Sequence, residues 1–201
     1  MKDKKVLLIL VCTAVLVLMS VAFAAFNQTL KINGTGTISS TWKVELDTDT
    51  ANTKCTVSSK DSANPTTCSV TALSTSALTA NISWSSPGDS ATITARVKNG
   101  GTLNANASMS AKIGLTSAAA SACTNTTATA NYTQYAADGK TTSGTAKTLT
   151  ATAQTIGPMK VLSHATYNYG IYTIVITYNA SSTGAAGACT FTGTVTATQA
   201  A

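Results

Sequence analysis

The segment 89–98 alternates apolar and polar side chains, and this alternation constrains the fold more than any other feature of the chain. Ala91, Ile93, Ala95 and Val97 share one side of an extended backbone, and hydroxyl-bearing and basic residues share the other. A period of two is typical of a β-strand with one buried side and one solvent-facing side. The segment therefore predicts a strand that covers a hydrophobic core.

Strand patterns continue along the rest of the chain. Residues 171–178 carry large apolar side chains on both sides, which predicts a central strand, and Phe191 and Val195 alternate with threonines in a final strand. Further strands are predicted at 29–33, 41–46, 54–58, 67–72, 78–84 and 103–113. Turn signals rich in glycine and asparagine separate them, and the one candidate for a short helix is 117–122. The predicted fold class is all-β, an antiparallel β-sandwich or jelly roll.

Residues 1–24 have the form of a cleaved secretory signal peptide. A short basic stretch precedes an apolar run, and Ala22-Phe23-Ala24 supplies the small residues of a cleavage site. An uncleaved membrane anchor is the alternative, because the run approaches the length that spans a bilayer. We expect a secreted protein of the extracellular space or cell surface, with no membrane contact after cleavage. Cleavage removes three lysines and one aspartate, which lowers the formal net charge from +6 to +4.

Of the five cysteines, only Cys12 lies in the predicted signal peptide, which leaves Cys55, Cys68, Cys123 and Cys189. An even number in an exported chain predicts disulfides, and four cysteines allow three pairings. We expect Cys55 to pair with Cys68, because they flank a turn and are close in sequence, and Cys123 to pair with Cys189. Zinc is the alternative, although no C-x-x-C spacing supports it.

The composition disfavours catalysis. Charged residues make up 10% of the chain, and His164 is the single histidine. The chain lacks a phosphate-binding glycine loop, a nucleophile elbow and an H-E-x-x-H motif, so we expect no enzymatic activity, no cofactor and no metal. His164 is assigned to a loop or a half-buried strand. Trp42 and Trp84 are assigned to the core or the sandwich end, and an exposed sugar-binding pair is the alternative.

Two acidic patterns have both a structural and a functional interpretation. Asp47 and Asp49 alternate near a strand end and offer oxygens to calcium, but the glycine and distal glutamate of an EF-hand loop are missing, which favours a solvated edge. Residues 87–89, Pro-Gly-Asp, predict a turn between strands in which the aspartate side chain caps the turn. The charge is spread along the chain, so no nucleic-acid partner is expected.

Two stretches resemble the TasA and camelysin family of secreted bacterial surface proteins. The first runs over 24–36 as AAFNQTLKINGTG and leads to WKVEL at 42–46. The second begins with PGDS at 87–90, continues as a strand and ends in NGGTLNA at 99–105. The resemblance implies a jelly-roll fold and a role in the fibres of a biofilm matrix.

From this resemblance we expect a structural protein that assembles into a fibre or pilus-like homo-oligomer by β-strand addition. We expect residues 25–38 to form an N-terminal assembly strand that is exchanged between subunits, with the first strand of the chain's own sandwich as the alternative, and 39–201 to form the sandwich domain. The segment has apolar side chains for a neighbouring sheet and glycines that allow close backbone approach: Phe26, Leu30, Ile32, Gly34 and Gly36. The alternative function is a monomeric adhesin or a module that binds glycans or another ligand, and other surface proteins are further partners in either case.

Overall fold

The computed structural model describes residue 41 and residues 43–115, 125–179 and 188–200. The predicted signal peptide, the assembly strand 25–38, the short helix at 117–122, Trp42 and Cys123 lie outside the described residues. Within them, the chain forms twelve β-strands and no helix. These are β1 Val44–Leu46, β2 Lys54–Ser58, β3 Thr67–Leu73, β4 Ala77–Ser83, β5 Ser90–Asn99, β6 Ala105–Leu115, β7 Thr126–Tyr135, β8 Thr141–Ser143, β9 Lys147–Thr148, β10 Gln154–Val161, β11 Tyr169–Tyr178 and β12 Ala188–Gln199.

The strands form two antiparallel sheets. The front sheet has the order β1-β5-β11-β7-β8, with β2 also paired to β5 and β9 also paired to β7. The back sheet has the order β10-β6-β12-β4-β3. From β4 to β12 the chain crosses repeatedly from one sheet to the other. As a result, β12 lies between β4 and β6 in the back sheet, and β11 lies between β5 and β7 in the front sheet. This is jelly-roll topology, which confirms the predicted fold class.

The core lies between the inner faces of the two sheets. Ala91, Ile93, Ala95 and Val97 are all fully buried, as the alternation of β5 predicts. In β11, the inner side chains are buried and Val175 on the other side is 37% exposed. The Tyr172 hydroxyl donates a 2.9 Å hydrogen bond to the Ala107 carbonyl of the back sheet, which joins the sheets across the core.

Trp84 is 3% exposed, which confirms its assignment to the core. Its ring packs against Tyr178 with 6.0 Å between centroids. The indole Nε1–H donates to the Cys189 sulfur at 3.4 Å, so the polar atom of the ring is satisfied within the core.

The Cys55–Cys68 disulfide is present, with 5.8 Å between the Cα atoms. It joins β2, at one edge of the front sheet, to β3, at an edge of the back sheet. The two strands are therefore not hairpin neighbours, because residues 59–66 carry the chain from one sheet to the other. Cys189 is also disulfide-bonded, but its predicted partner Cys123 lies outside the described residues.

Candidate functional site

Three tyrosines line one end of the outer face of the front sheet. Tyr135 ends β7 and Tyr169 begins β11, next to the paired residues Gln134 and Gly170. Their ring centroids are 4.7 Å apart at an angle of 47°. Tyr167, in the loop before β11, stacks on Tyr135 with 6.3 Å between centroids and 5° between planes. These three half-buried side chains, Tyr135, Tyr167 and Tyr169, are called the tyrosine row below.

The tyrosine row has a cation at one end and a histidine at the other. The Arg96 guanidinium, on the outer side of β5, lies 4.0 Å from the Tyr169 ring centroid. This is a cation–π contact. The His164 ring stacks on Tyr167 with 5.6 Å between centroids. The result is a continuous polar and aromatic surface that crosses three strands.

The loop that carries Tyr167 is held by hydrogen bonds. His164 lies in this loop and is half-buried, in agreement with its assignment. Its Nδ1 accepts the backbone N–H groups of Thr166 and Tyr167, both at 3.1 Å. The neighbouring Ser163 hydroxyl donates to the Gly101 carbonyl at 2.9 Å, so the loop is tied to the turn after β5. These contacts hold the backbone of Tyr167 in place.

Asn99, the last residue of β5, forms hydrogen bonds at the same end of the sandwich. Its side chain is buried, and its Nδ2 donates to the carbonyls of Leu103 at 2.7 Å and Val161 at 3.1 Å. Its Oδ1 accepts the Gly101 N–H at 2.9 Å. Asn99 therefore links the loop after β5 to the end of β10.

The Tyr135 hydroxyl is a neutral donor and acceptor at physiological pH. Burial raises the pKa of Tyr135, the charge and hydrogen bond of Tyr169 raise it further, and the positive charge of Arg96 lowers it by less. The net direction is upward, so Tyr135 keeps its proton well above neutral pH.

A charged cluster adjoins Tyr169. Asp47 is 6% exposed, and its carboxylate lies 3.7 Å from Arg96 Nε and 3.4 Å from Lys98 Nζ. Asn52 Nδ2 donates to the same carboxylate at 3.1 Å. Glu45 lies 3.6 Å from Lys98 Nζ. Asp47 thus holds the two cations on the outer side of β5 in place.

The calcium interpretation of Asp47 and Asp49 finds no metal-binding arrangement in this part of the chain. The Asp47 oxygens face Arg96 and Lys98, whereas Asp49 Oδ1 accepts the Ala51 N–H at 2.9 Å. Among the described residues, no group of three or more histidine, cysteine or acidic side chains lies close enough to hold a metal ion.

The centre of the outer face is uncharged. The register places Ile171 between Arg96 and Thr133, and Thr173 between Thr94 and Asn131. Five side chains of this region are half-buried: Thr94, Asn131, Thr133, Ile171 and Thr173. Methyl groups, hydroxyls and an amide therefore extend the tyrosine row along the sheet, and the surface can both pack against and hydrogen-bond a ligand.

The Pro-Gly-Asp segment forms the predicted turn, and Gly88 adopts a positive φ of 89°. Asp89 is fully buried, and its carboxylate accepts hydrogen bonds from Ser86 N–H, Lys60 N–H and the Ser59 and Thr66 hydroxyls. Burial alone would raise the Asp89 pKa, but these donors together lower it. Asp89 is thus a structural cap that also ties the loop after β2 to this turn.

The sequence predictions did not find the tyrosine row. The predicted assembly residues Phe26, Leu30, Ile32, Gly34 and Gly36 lie outside the described residues, so self-assembly remains a prediction. The sequence feature that could have revealed two of the three tyrosines is Tyr167-Asn168-Tyr169. These alternate tyrosines come just before an apolar strand and point away from the core. The third tyrosine comes from a strand that was not predicted.

No protein-family model and no curated protein matches this chain. Among solved structures, it is similar to the carbohydrate-binding module TmCBM61 in complex with β-1,4-galactotriose, with 12% identity and a TM-score of 0.35 over 79% of this chain and 88% of that one. A CBM4 structure matches with 15% identity and a TM-score of 0.30 over 76% of this chain and 92% of that one.

The enzymatically active domain of tailspike protein 4 from bacteriophage CBA120 matches with 11% identity and a TM-score of 0.32 over 79% of this chain, and the match spans 19% of that protein. TM-scores of this size are too low to transfer a function.

In the parts of the chain that the structure describes, no helix has the length and apolar character needed to cross a bilayer.

Proposed function

We propose that this protein is an extracellular, non-catalytic β-sandwich module that binds glycans on the outer face of its front sheet. The observation that carries the proposal is the tyrosine row. Tyr135, Tyr167 and Tyr169 form a rigid, half-exposed aromatic strip beside charged and hydroxyl side chains.

Sugars have apolar C–H faces and a rim of hydroxyl groups, so a protein surface that binds them needs aromatic rings together with nearby polar groups. Aromatic side chains with a polar tip supply both. Around the tyrosine row, Arg96, Lys98 and Glu45 offer charged donors and acceptors, and Asn131 adds an amide. The surface thus matches the mixed chemistry of a carbohydrate.

The preformed loops favour binding over a purely structural role for the rings. Tyr167 contributes little to the core, yet its backbone is held by His164 and its loop by Ser163. Because the rings are fixed before binding, little conformational entropy is lost when a ligand docks.

The experiment is a binding screen of the oxidised, exported protein against neutral and acidic polysaccharides, followed by alanine substitution of each tyrosine. We expect at least one glycan to bind, and Tyr169→Ala to weaken its affinity by about tenfold, a value typical of a central aromatic contact. The control is Thr194→Ala, on the exposed outer side of β12 in the back sheet. Unchanged affinity in the three tyrosine variants would overturn the proposal.

A further inference from the structure

We infer that His164 is a positioning residue for the tyrosine row, and that proton uptake by its imidazole weakens ligand binding in mildly acidic conditions. The inference rests on the proposed function and adds a regulation of the same surface. Its basis is the pair of hydrogen bonds that the His164 ring accepts only while its Nδ1 carries no proton.

The loop that carries Tyr167 is anchored at both of its ends. On one side, the Ser163 hydroxyl is bonded to the turn after β5, and the Ser163 N–H donates to an asparagine side chain at 2.8 Å. On the other side, Asn99 and Asn168 exchange two hydrogen bonds at 2.7 and 3.2 Å. Residues 164–167, called the tyrosine loop below, are therefore a short span between two fixed points.

Within the tyrosine loop, the His164 ring supplies hydrogen bonds. Its Nδ1 accepts the N–H groups of Thr166 and Tyr167, both at 3.1 Å, so the neutral ring carries its proton on Nε2. A second proton occupies the Nδ1 lone pair and turns this acceptor into a donor that faces two other donors. Proton uptake therefore releases the tyrosine loop while its two anchors stay in place.

The position of the Tyr167 ring depends on this loop. The ring lies between His164, at 5.6 Å between centroids, and Tyr135, at 6.3 Å. Its hydroxyl lies over Gly139 in the turn between β7 and β8, where an added Cβ would come within 2.6 Å of the oxygen. A charged imidazole is attracted to a tyrosine ring, but this attraction gives neither backbone N–H an acceptor. Release of the loop therefore takes one of the three rings out of the tyrosine row.

The charged groups around the tyrosine loop belong to other side-chain types. His164 is the single histidine of the chain, and imidazole is the side chain that ordinarily changes charge between about pH 5 and 8. Among the described residues, no carboxylate forms an ion pair with His164. The titratable groups on the elements next to the loop are Tyr167 itself, Tyr135 on β7, Tyr169 on β11, Arg96 on β5, Lys160 on β10, Lys43 beside the turn after β5, and the Asp138–Lys140 pair that flanks Gly139.

The first experiment follows the loop without ligand. The oxidised, isotope-labelled protein is brought from about pH 7.5 to about pH 5.5, on either side of the range in which an imidazole takes up a proton. The ring C–H signals of His164 report its protonation, and nuclear Overhauser effects between the Tyr167 and Tyr135 rings report their contact. We expect this contact to weaken as the His164 ring becomes charged.

Two substitutions separate the hydrogen bonds from the charge. An asparagine side chain presents its Oδ1 as many bonds from the backbone as histidine presents Nδ1, and it commonly accepts N–H groups a few residues further along the chain. His164→Asn therefore keeps an acceptor for Thr166 and Tyr167 and takes up no proton. His164→Ala removes the acceptor at every pH and is the matched comparison.

The second experiment measures affinity at the same two pH values. Galactan, xylan, alginate and hyaluronate are the probes, because none of them has a group that titrates in this range. For a polymer that binds, the wild-type affinity should fall by about fivefold to tenfold from about pH 7.5 to about pH 5.5, the size of one or two lost hydrogen bonds. His164→Asn should match the wild type at the higher pH and keep that affinity at the lower one. His164→Ala should bind weakly at both.

Each contrary outcome is distinct. An intact contact between Tyr167 and Tyr135 when the His164 ring is fully charged overturns the inference. The same holds for a wild-type affinity that does not change with pH, or for an equal fall in His164→Asn, and in both cases the proposed function stands. If no polysaccharide binds at either pH, the proposed function is wrong, and the ring contact alone decides whether His164 positions Tyr167.

Discussion

The Thr66 hydroxyl donates a 2.5 Å hydrogen bond to the Asp89 carboxylate, and both residues are buried. Thr66 lies in the segment that connects β2 of the front sheet to β3 of the back sheet. Asp89 is the last residue of the turn before β5. The same Thr66 oxygen accepts the Ser85 N–H at 2.9 Å. This pair therefore joins the connection between β2 and β3 to the turn between β4 and β5.

Asp89→Asn should destabilise the fold by about 1–3 kcal/mol at neutral pH, because an amide cannot accept all the hydrogen bonds that the buried carboxylate accepts. Urea denaturation measures the loss. Asp138→Asn, at an exposed turn, is the control and should change stability little.

The difference between wild type and Asp89→Asn should depend on pH. The pKa of Asp89 in the folded protein is lower than the ordinary value of 3.8 for an aspartate, so its ionised form stabilises the folded state. This contribution is fully present above the unfolded pKa and disappears as the pH falls through the lower folded pKa. A difference that stays constant from pH 7 into this acidic range would contradict the account.

Loss of the Cys55–Cys68 disulfide should lower stability by about 3 kcal/mol, the value expected for a loop of this size. The double variant Cys55→Ala and Cys68→Ala tests this by thermal denaturation, with Ser58→Ala on the same strand as control. Because the bridge joins the two sheets at an edge, we also expect faster hydrogen exchange in β2 and β3 of the variant. Unchanged stability and exchange would show that the bridge is dispensable.

The predicted second disulfide makes a separate claim. If Cys123 pairs with Cys189, the exported protein has no free thiol among its four remaining cysteines. Thiol titration of the denatured, unreduced protein measures this directly. Two or more reactive thiols per chain would show that the predicted pairing is wrong.

Self-assembly through residues 25–38 is tested by deleting 25–32 from the mature protein. If the segment completes a sheet in a neighbouring subunit, the truncated protein should remain folded but no longer polymerise. If it belongs to its own sandwich, the deletion should destabilise the domain. Filaments of normal length from the truncated protein would exclude strand exchange, and electron microscopy together with a melting curve separates the three outcomes.

The strands predicted from the sequence are those with bulky apolar side chains at every second position, such as β5 and β11. By contrast, β7 was missed because its buried positions include Ala128 and Ala130, which look weakly apolar among threonines. β10 was missed because Gly157-Pro158 interrupts it. The structure accommodates the proline in an edge strand, where a shift in register separates Ile156 from Met159.

The tyrosine row could not be predicted from the sequence for a related reason. Tyr135 and Tyr169 lie more than thirty residues apart in the sequence and meet only because β7 and β11 pair in one particular register. A shift by one residue would move Tyr135 to the inner face. Without β7, the sequence offered no partner for Tyr169.

The central claim, that the outer face of the front sheet binds glycans, is tested most directly by a nuclear magnetic resonance titration of the isotope-labelled protein with a bound polysaccharide fragment. We predict that the largest shift changes occur at Tyr135, Tyr167, Tyr169 and the adjoining outward positions of β5, with little change along the outward threonines of β12. Shift changes centred on β12, or none anywhere at saturating glycan, would contradict the account.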